Sequence, residues 1–284
     1  MPSKMIDIHP HIISADTARY PVAPLGGKRS DWSSHRPVDF EHLVADMDAA
    51  GVDKAAIVHS STTYGYDASY LADAIADHHD RFTGVFSVDV LAADAPDKIR
   101  YWLGRGLSGL RLFAAGSTVN AGQGWIADPK TYPSWALCAE LDIPVAISMR
   151  QDGLPHLIEV MKRFPTVRIV LDHLLHAPMN DGPPYSAAAP MFHMAAYPNV
   201  YMKLTSAIIR HTTEAPATPE TYFSKLLTAF GSKRIAWGSN YPAVDGGLPQ
   251  LVADAKATLS ILAAEDQENI FWRTAEGLYP SLAD

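Results

Sequence analysis

The hydrophobic pattern of the chain alternates short apolar runs with longer amphipathic stretches. The short runs are almost continuously apolar, which is typical of strands buried on both faces of a parallel sheet. Eight runs predict strands, at Met5–His9, Lys54–His59, Phe82–Val88, Leu107–Leu112, Pro144–Ser148, Arg168–His173, Val200–Leu204 and Arg234–Gly238. The regular alternation with helical stretches indicates repeated βα units.

Amphipathic stretches that follow these runs predict the helices. Asp39 stands where an N-cap would begin the first of them, and Gly51 stands where a left-handed residue would end it. The predicted helices are Phe40–Ala50, Ala68–His79, Ala95–Gly104, Ser134–Leu141, Leu154–Arg163, Ala187–Ala196, Pro219–Phe230, Leu248–Leu262 and Asp266–Leu278.

Eight strands with their helices predict a single α/β domain over residues 1–284, an eight-stranded (β/α)8 barrel of the TIM type. A doubly wound parallel sheet is the alternative, because a count of strands does not establish closure. Longer irregular segments follow four strand ends, where a barrel builds its catalytic face. These segments are Ser14–Val38, Ala114–Pro133, Ala177–Tyr185 and Ile208–Thr218.

Composition and charge narrow the function classes. The net charge of −8 argues against a general nucleic-acid binder, which needs a surplus of Lys and Arg on one face. No apolar run approaches the roughly 20 residues that span a bilayer, and the first His comes too early for a signal peptide, so we expect a cytoplasmic protein without a membrane partner. The single cysteine, Cys138, lies in an apolar helical stretch and is expected to be an inert core thiol.

Polar groups at three strand ends are the candidate catalytic residues. His9 and His11 close the first strand, and side chains two apart on an extended chain point the same way. His173 ends the sixth strand and Asn240 follows the eighth. If the barrel closes, these four side chains meet at one mouth. His176 is expected to lie behind the site or at the surface.

Cations near the same strand ends predict an anionic ligand. Arg111 lies in the fourth strand, Arg150 follows the fifth, Lys203 lies in the seventh and Arg210 follows it. Guanidinium groups bind carboxylates through paired hydrogen bonds, so a small anionic substrate is the expected partner. For Lys203, pairing with an internal acid is the alternative.

Hydroxyl groups after the second strand are further substrate-binding candidates. Ser61 and Tyr64 could contact a carboxylate or a lactone oxygen, whereas helix capping is the other interpretation for this segment. Aromatic residues in the longer loops could cover a flat ring or could pack within their own loops; these are Trp32, Trp125 and Tyr132.

The chain resembles the amidohydrolase superfamily in four motifs that span nearly its whole length. They are His9-x-His11, Leu171-Asp172-His173, the turn Gly238-Ser239-Asn240-Tyr241-Pro242, and the closing segment Asn269–Tyr279. Within the superfamily, the motifs are most similar to the branch of 2-pyrone-4,6-dicarboxylate lactonase and the sugar-lactone and muconolactone hydrolases. The resemblance implies a barrel fold and hydrolysis of a lactone.

Two departures from the family pattern bear on chemistry. Metal-dependent relatives carry a Lys or His at the end of the fifth strand, whereas Ser148, Met149 and Arg150 stand here. We therefore expect no metal, with a single divalent ion (Zn²⁺ or Mn²⁺) on His9 and His11 as the alternative. Relatives commonly have Asp at position 240, where it activates the attacking water. An amide cannot accept that proton at neutral pH.

The resulting hypothesis is hydrolysis of a small anionic lactone. In it His9, His11 and His173 polarise the ring carbonyl, position 240 addresses the water, and the cations hold the anionic group. Asp245 is a candidate substitute base, with a turn or capping role as its alternative. Two other hypotheses stay open: a mononuclear-metal decarboxylase or lyase of an aromatic or muconate acid, and a catalytically silent binding protein or inactive Asp-to-Asn variant. Homo-oligomerisation is left open.

Overall fold

The computed structural model describes residues 4–116, 118–119 and 122–283. Its strands are β1 (Ile6–Asp7), β2 (Lys54–Val58), β3 (Phe82–Phe86), β4 (Gly109–Phe113), β5 (Val145–Ser148), β6 (Ile169–Leu171), β7 (Val200–Thr205) and β8 (Ile235–Gly238). All eight predicted strands are confirmed, most of them one or two residues shorter than predicted at an end. Sequence-based boundaries carry errors of this size because strand ends depend on the partner strand.

The sheet is parallel throughout and its strands follow one another in chain order. The first and last strands also meet, because the Ile8 amide donates to the Trp237 carbonyl at 3.3 Å and the His11 amide to the Tyr241 carbonyl at 2.8 Å. A doubly wound sheet would reverse its strand order near the middle. The (β/α)8 barrel is therefore confirmed and the doubly wound alternative is wrong.

The helices surround the barrel. They are α1 (Asp31–His35), α2 (Phe40–Ala50), α3 (Ser61–Tyr64), α4 (Ser69–Ile75), α5 (Ala95–Gly104), α6 (Tyr132–Glu140), α7 (Leu154–Arg163), α8 (Ala189–His193), α9 (Ser206–His211), α10 (Pro219–Phe230), α11 (Leu248–Leu259), α12 (Ala264–Glu268) and α13 (Thr274–Leu278), with a π-helical turn at Asn269–Arg273 between the last two. Among the described residues, no helix has the length and apolarity needed to cross a bilayer.

Local signals account for the helices whose predicted bounds are confirmed. The side chain of Asp39 accepts the His42 amide at 2.9 Å, and Gly51 ends α2 with a φ of 68°. The helices α2, α5, α7 and α10 have their predicted limits. The short helices α1, α3 and α9 were not predicted, because each lies in a segment without enough turns to show an apolar period.

Apolar side chains fill the barrel interior at one end and leave the other end open. Ile6, Val58, Val85 and Val170 pack inside together with the buried residues of α13 and the segment after it. A Cβ atom on Gly109 would lie 2.9 Å from the Tyr279 ring, so this segment closes the amino-terminal end tightly. Polar groups can therefore be accommodated only at the carboxyl ends of the strands.

The sequence-based expectation for Cys138 agrees with the structure. The thiol is fully buried in α6, and burial raises its pKa to about 12, so almost no thiolate forms near neutral pH.

The four predicted irregular segments do follow strand ends, although Ser14–Val38 contains α1 and Ile208–Thr218 includes the end of α9. Residues 117, 120 and 121 of Ala114–Pro133 lie outside the described residues.

Candidate active site

A cavity of about 480 Å³ lies at the carboxyl ends of the strands. Four imidazoles and two guanidinium groups line it, together with hydroxyl groups, one amide and a few apolar side chains. The polar lining residues are His11, His173, His176, His211, Arg111, Arg150, Ser60, Ser61, Thr62, Ser148, Thr205 and Asn240. No carboxylate of the described residues is among those that line it, although the whole chain carries a net charge of −8.

The predicted meeting of the imidazoles is what the structure shows. The ring centroid of His9 lies 4.9 Å from that of His11 and 4.8 Å from that of His173. His9 is fully buried, and neither of its ring nitrogens has a hydrogen-bond partner among the described residues. His11 and His173 reach the cavity wall, whereas His9 lies behind them.

The hydrogen bond of His11 fixes its neutral tautomer. Its Nδ1 lies 2.8 Å from the Val58 carbonyl oxygen, which can only accept, so Nδ1 carries the proton and Nε2 keeps a lone pair. Burial, and then the charge of Arg111, lower the pKa of His11 to about 3, so the ring is neutral. A neutral His11 can accept a proton at Nε2 but cannot donate there. The predicted role of His11 as a donor to the carbonyl therefore does not fit this tautomer.

The chain enters an unusual backbone turn after β6. This strand ends at Leu171, two residues before its predicted end, and φ is between 47° and 58° at each residue from His173 to His176. Consecutive non-glycine residues in the left-handed region cost roughly 1–2 kcal/mol each. The turn brings the rings of His173 and His176 together, with their centroids 4.9 Å apart, and the Nδ1 of His173 lies 3.0 Å from the Thr205 hydroxyl.

Asp172 is the centre of a buried charge cluster beneath the cavity. Its Oδ2 accepts from Nε of Arg111 at 3.0 Å, and its Oδ1 lies 2.8 Å from Nζ of Lys203. Burial alone would raise the pKa of Asp172, but the charges of Lys203 and Arg111 outweigh it and hold this pKa well below its usual range. The cluster connects strands β4 and β7 with the turn after β6.

Two of the four predicted substrate-binding cations line the cavity and two do not. Arg111 and Arg150 reach it. Lys203 is fully buried against Asp172, which agrees with the alternative interpretation of an internal ion pair and places it away from any substrate. Arg210 is also placed elsewhere, because its guanidinium pairs with Asp254 and donates to the Asp245 carbonyl at 2.7 Å.

Of the two predicted hydroxyl ligands of the substrate, Ser61 lines the cavity and Tyr64 does not. Ser61 lines the cavity at the start of α3, and its hydroxyl lies 3.0 Å from that of Ser87. Tyr64 does not line it, because its phenol oxygen accepts the Ser14 amide at 2.8 Å. Trp32 was one of the loop aromatics, and it stacks on His11 with ring centroids 5.1 Å apart.

Asn240 lies in the cavity wall, with a φ of 57° that asparagine tolerates better than most residues. Its side chain is within hydrogen-bonding reach of His11. Asp245, the candidate substitute base, is placed elsewhere: its side chain is 91% exposed and pairs with Arg36. The predicted substitute base is therefore not among the residues that line the cavity.

Sequence reasoning missed two imidazoles of this cavity. His176 was expected behind the site, but the left-handed turn directs it into the wall, and His211 reaches the wall from the end of α9. His173 and His176 are three residues apart, a spacing that places both side chains on one face of a helical turn. The apolar run before them instead predicts an extended strand up to His173, which gives no reason to expect His176 beside it. No sequence signal distinguished His211 from a surface residue.

A metal ion fits this donor set poorly. One ligand atom each from His9, Asp172 and His173 lie within 4.8 Å of one another. Both oxygens of Asp172 already contact cations, so a divalent ion there would stand beside Arg111 and Lys203 with one carboxylate to balance three cations. A site of this kind disfavours a further positive charge.

Comparison with known proteins defines the class. The sequence model of the amidohydrolase family matches residues 6–281, so the chain belongs to this family. The chain is 29% identical over 246 residues to L-fucono-1,5-lactonase from Burkholderia ambifaria, a match that covers 84% of this chain and 80% of that protein. These matches confirm the resemblance to the lactonase branch.

Solved structures share the whole fold. A protein from Pseudomonas putida described as a 2-pyrone-4,6-dicarboxylic acid hydrolase superposes with a TM-score of 0.79 at 17% identity, covering 100% of both chains. Dihydroxybenzoic acid decarboxylase from Polaromonas sp. JS666, solved with manganese and 2-nitroresorcinol, gives a TM-score of 0.67 at 15% identity over 99% of this chain and 97% of that chain. At such identities the likeness shows the fold alone.

Proposed function

We propose that the protein hydrolyses a small lactone that carries a negative charge, without a metal ion. The observation that supports this most directly is the charge of the cavity wall, which carries the guanidinium groups of Arg111 and Arg150 and to which no carboxylate among the described residues contributes. Such a wall lowers the free energy of a bound anion and of the oxyanion that forms when water attacks a lactone carbonyl. The similarity to a curated lactonase supports the same reaction class.

In the proposed mechanism His11 takes the role that Asn240 cannot perform. The lone pair on Nε2 of His11 accepts a proton from the attacking water, and the amide of Asn240 holds that water by hydrogen bonds. The charge of Arg111 is the second cause that lowers the pKa of His11. An anionic substrate bound to Arg111 would cancel part of that effect and make His11 a stronger base.

Arg111 holds the anion and stabilises the developing oxyanion. Its Nε donates a hydrogen bond to Asp172, so the two terminal nitrogens of the guanidinium can donate to a ligand in the cavity. His173 adds a donor when the Thr205 hydroxyl donates to its Nδ1 and Nε2 carries the proton. A single oxyanion donor contributes about 3–4 kcal/mol to the transition state. Proton return from His11 to the ring oxygen completes the opening.

The experiment is a comparison of carboxylated lactones with their methyl esters and with neutral sugar lactones, each with and without an excess of chelator. We expect the free carboxylates to have the highest kcat/KM, unaffected by the chelator. The variant Arg150→Gln should reduce this preference, and the matched control Arg100→Gln, at an exposed guanidinium of α5, should leave it unchanged. Loss of activity on chelation would contradict the metal-free mechanism and favour a metal-dependent hydrolysis.

Two variants test the base. Removal of the imidazole in His11→Gln should reduce kcat by roughly 10²–10⁴, which is the usual contribution of a general base. In the same enzyme, Asn240→Asp should restore part of the rate because it supplies a carboxylate beside the water. A protein that is inactive on every lactone, and that gains no activity from Asn240→Asp, would instead be the silent binding protein.

A further inference from the structure

A second, smaller cavity adjoins the candidate active site. Its volume is about 220 Å³, and most of the residues that line it are apolar, whereas most of those that line the main cavity are polar or charged. We call it the side chamber; its apolar lining includes Leu25, Val88, Val90, Leu91, Leu112 and Trp125. Its wall also includes Tyr66, which is 41% exposed, and Leu91 is 37% exposed. Exposed large apolar side chains gathered around one opening commonly mark a binding site.

The side chamber and the active-site cavity share two wall residues, Arg111 and Phe113. The guanidinium carbon of Arg111 lies 4.9 Å from the centroid of the Phe113 ring, so the two side chains stack into one partition. A Cβ atom on Gly116 would come within 2.3 Å of the tip of that ring. The absence of a side chain at Gly116 therefore leaves the space that the Phe113 ring occupies.

The charges on the two sides of the partition differ. The active-site cavity is lined by Arg111 and Arg150, whereas the side chamber shares Arg111 and, among the described residues, adds the carboxylate of Asp89. An anionic group is therefore more favoured in the main cavity than in the side chamber, where the charge of Asp89 opposes that of Arg111. Dry apolar cavities of about 150 Å³ hold a benzene molecule, so the side chamber has room for a phenyl ring or a short alkyl chain.

We propose that the side chamber binds an uncharged apolar substituent of the substrate, while the charged lactone ring occupies the main cavity. This inference rests on the proposed function for the identity of the ring, and it narrows the substrate class to carboxylated lactones with an aromatic or alkyl branch. Arg111 then has two roles: its charge holds the anion, and its flat face with Phe113 separates the charged part of the substrate from the apolar part.

Binding of non-hydrolysable acids tests the side chamber without requiring catalysis. Calorimetric titration with acetate, phenylacetate, 3-phenylpropanoate and 4-phenylbutanoate should show affinity rising with chain length by about fourfold for each methylene that becomes buried. Leu91→Trp, which adds bulk at the partly exposed rim, should abolish that rise. The control Ile261→Trp adds the same bulk at an exposed apolar residue that lines neither cavity, and it should retain the rise.

The outcomes separate this inference from the proposed function. Equal affinities along the series, or an equal effect of Leu91→Trp and Ile261→Trp, would overturn the side chamber as a binding site. A chain-length dependence that Leu91→Trp removes would support it, even in a protein that hydrolyses no lactone. If lactones are hydrolysed, phenyl-substituted carboxylated lactones should have a higher kcat/KM than unsubstituted ones, and Leu91→Trp should remove this difference.

Discussion

The buried cluster around Asp172 permits a prediction in which a second substitution reverses the effect of the first. Asp172 holds Arg111 and Lys203 through its two oxygens, at 3.0 and 2.8 Å. Asp172→Asn would leave two cations facing each other inside the barrel. Lys203→Met would leave a neutral pair of Arg111 and Asp172. The first variant should therefore destabilise the fold much more than the second.

The distances give the scale of the effect. At an effective dielectric constant of about 20, a contact of 2.8–3.0 Å corresponds to roughly 6 kcal/mol of attraction, much of which offsets the cost of burying the charges. Loss of one partner from a buried pair typically costs 3–5 kcal/mol. We expect Asp172→Asn to lie at or above the upper end of that range and Lys203→Met to lie below it. In the Asp172→Asn background, Lys203→Met should be neutral or stabilising, because it removes an unpaired cation.

The assay is urea or thermal unfolding of the two single variants and the double variant. A loss of about 5 kcal/mol lowers Tm by roughly 10–20 °C in a domain of this size. The surface pair Asp94 and Lys98 is the matched control, because its Nζ–O distance of 3.0 Å is similar but both side chains are half exposed. Lys98→Met should change the free energy of unfolding by less than about 1 kcal/mol.

One result would refute this reasoning. If Lys203→Met costs as much in the Asp172→Asn background as in the natural sequence, the lysine acts through packing and its charge interaction with Asp172 contributes nothing. If Asp172→Asn does not fold, the Lys203→Met variant alone still tests the reasoning, because it leaves Arg111 and Asp172 as a neutral pair. It should lower the free energy of unfolding by less than about 3 kcal/mol.

Three further predictions follow from single residues. Burial raises the pKa of Asp7 to about 6, above the value of 3.8 for an unfolded chain, so the contribution of Asp7 to the free energy of unfolding should fall by about 2 kcal/mol as the pH rises from 4 to 6. The buried histidines change the total in the opposite direction, so the measurement is the difference in the free energy of unfolding between the natural protein and Asp7→Asn; a difference that stays constant across this range would contradict the assignment. Asp39→Ala should cost about 1 kcal/mol in urea unfolding, since it removes the cap of α2, whereas Asp39→Ser should retain most of it. Gly116→Ala should displace the Phe113 ring and reduce the chain-length dependence of acid binding; an unaltered dependence would argue against the partition.

Local signals in the sequence determined the secondary structure and the architecture. Apolar runs gave the eight strands, and the caps of α2 were visible in Asp39 and Gly51, because capping depends on neighbours within a few residues. Once the strands form a barrel, residues at their carboxyl ends must converge, and for this reason His9, His11 and His173 could be placed together in advance.

The tertiary structure decided which polar groups are available for chemistry. Lys203 and Arg210 were predicted beside the substrate on the same grounds as Arg111, but their partners Asp172 and Asp254 are far away in sequence, and only folding brings each pair together. The same holds for His11, since the carbonyl that fixes its tautomer belongs to Val58 on the next strand. Periodicity along a chain reports burial, whereas charge pairing and proton position depend on contacts between distant segments, which a single sequence does not specify.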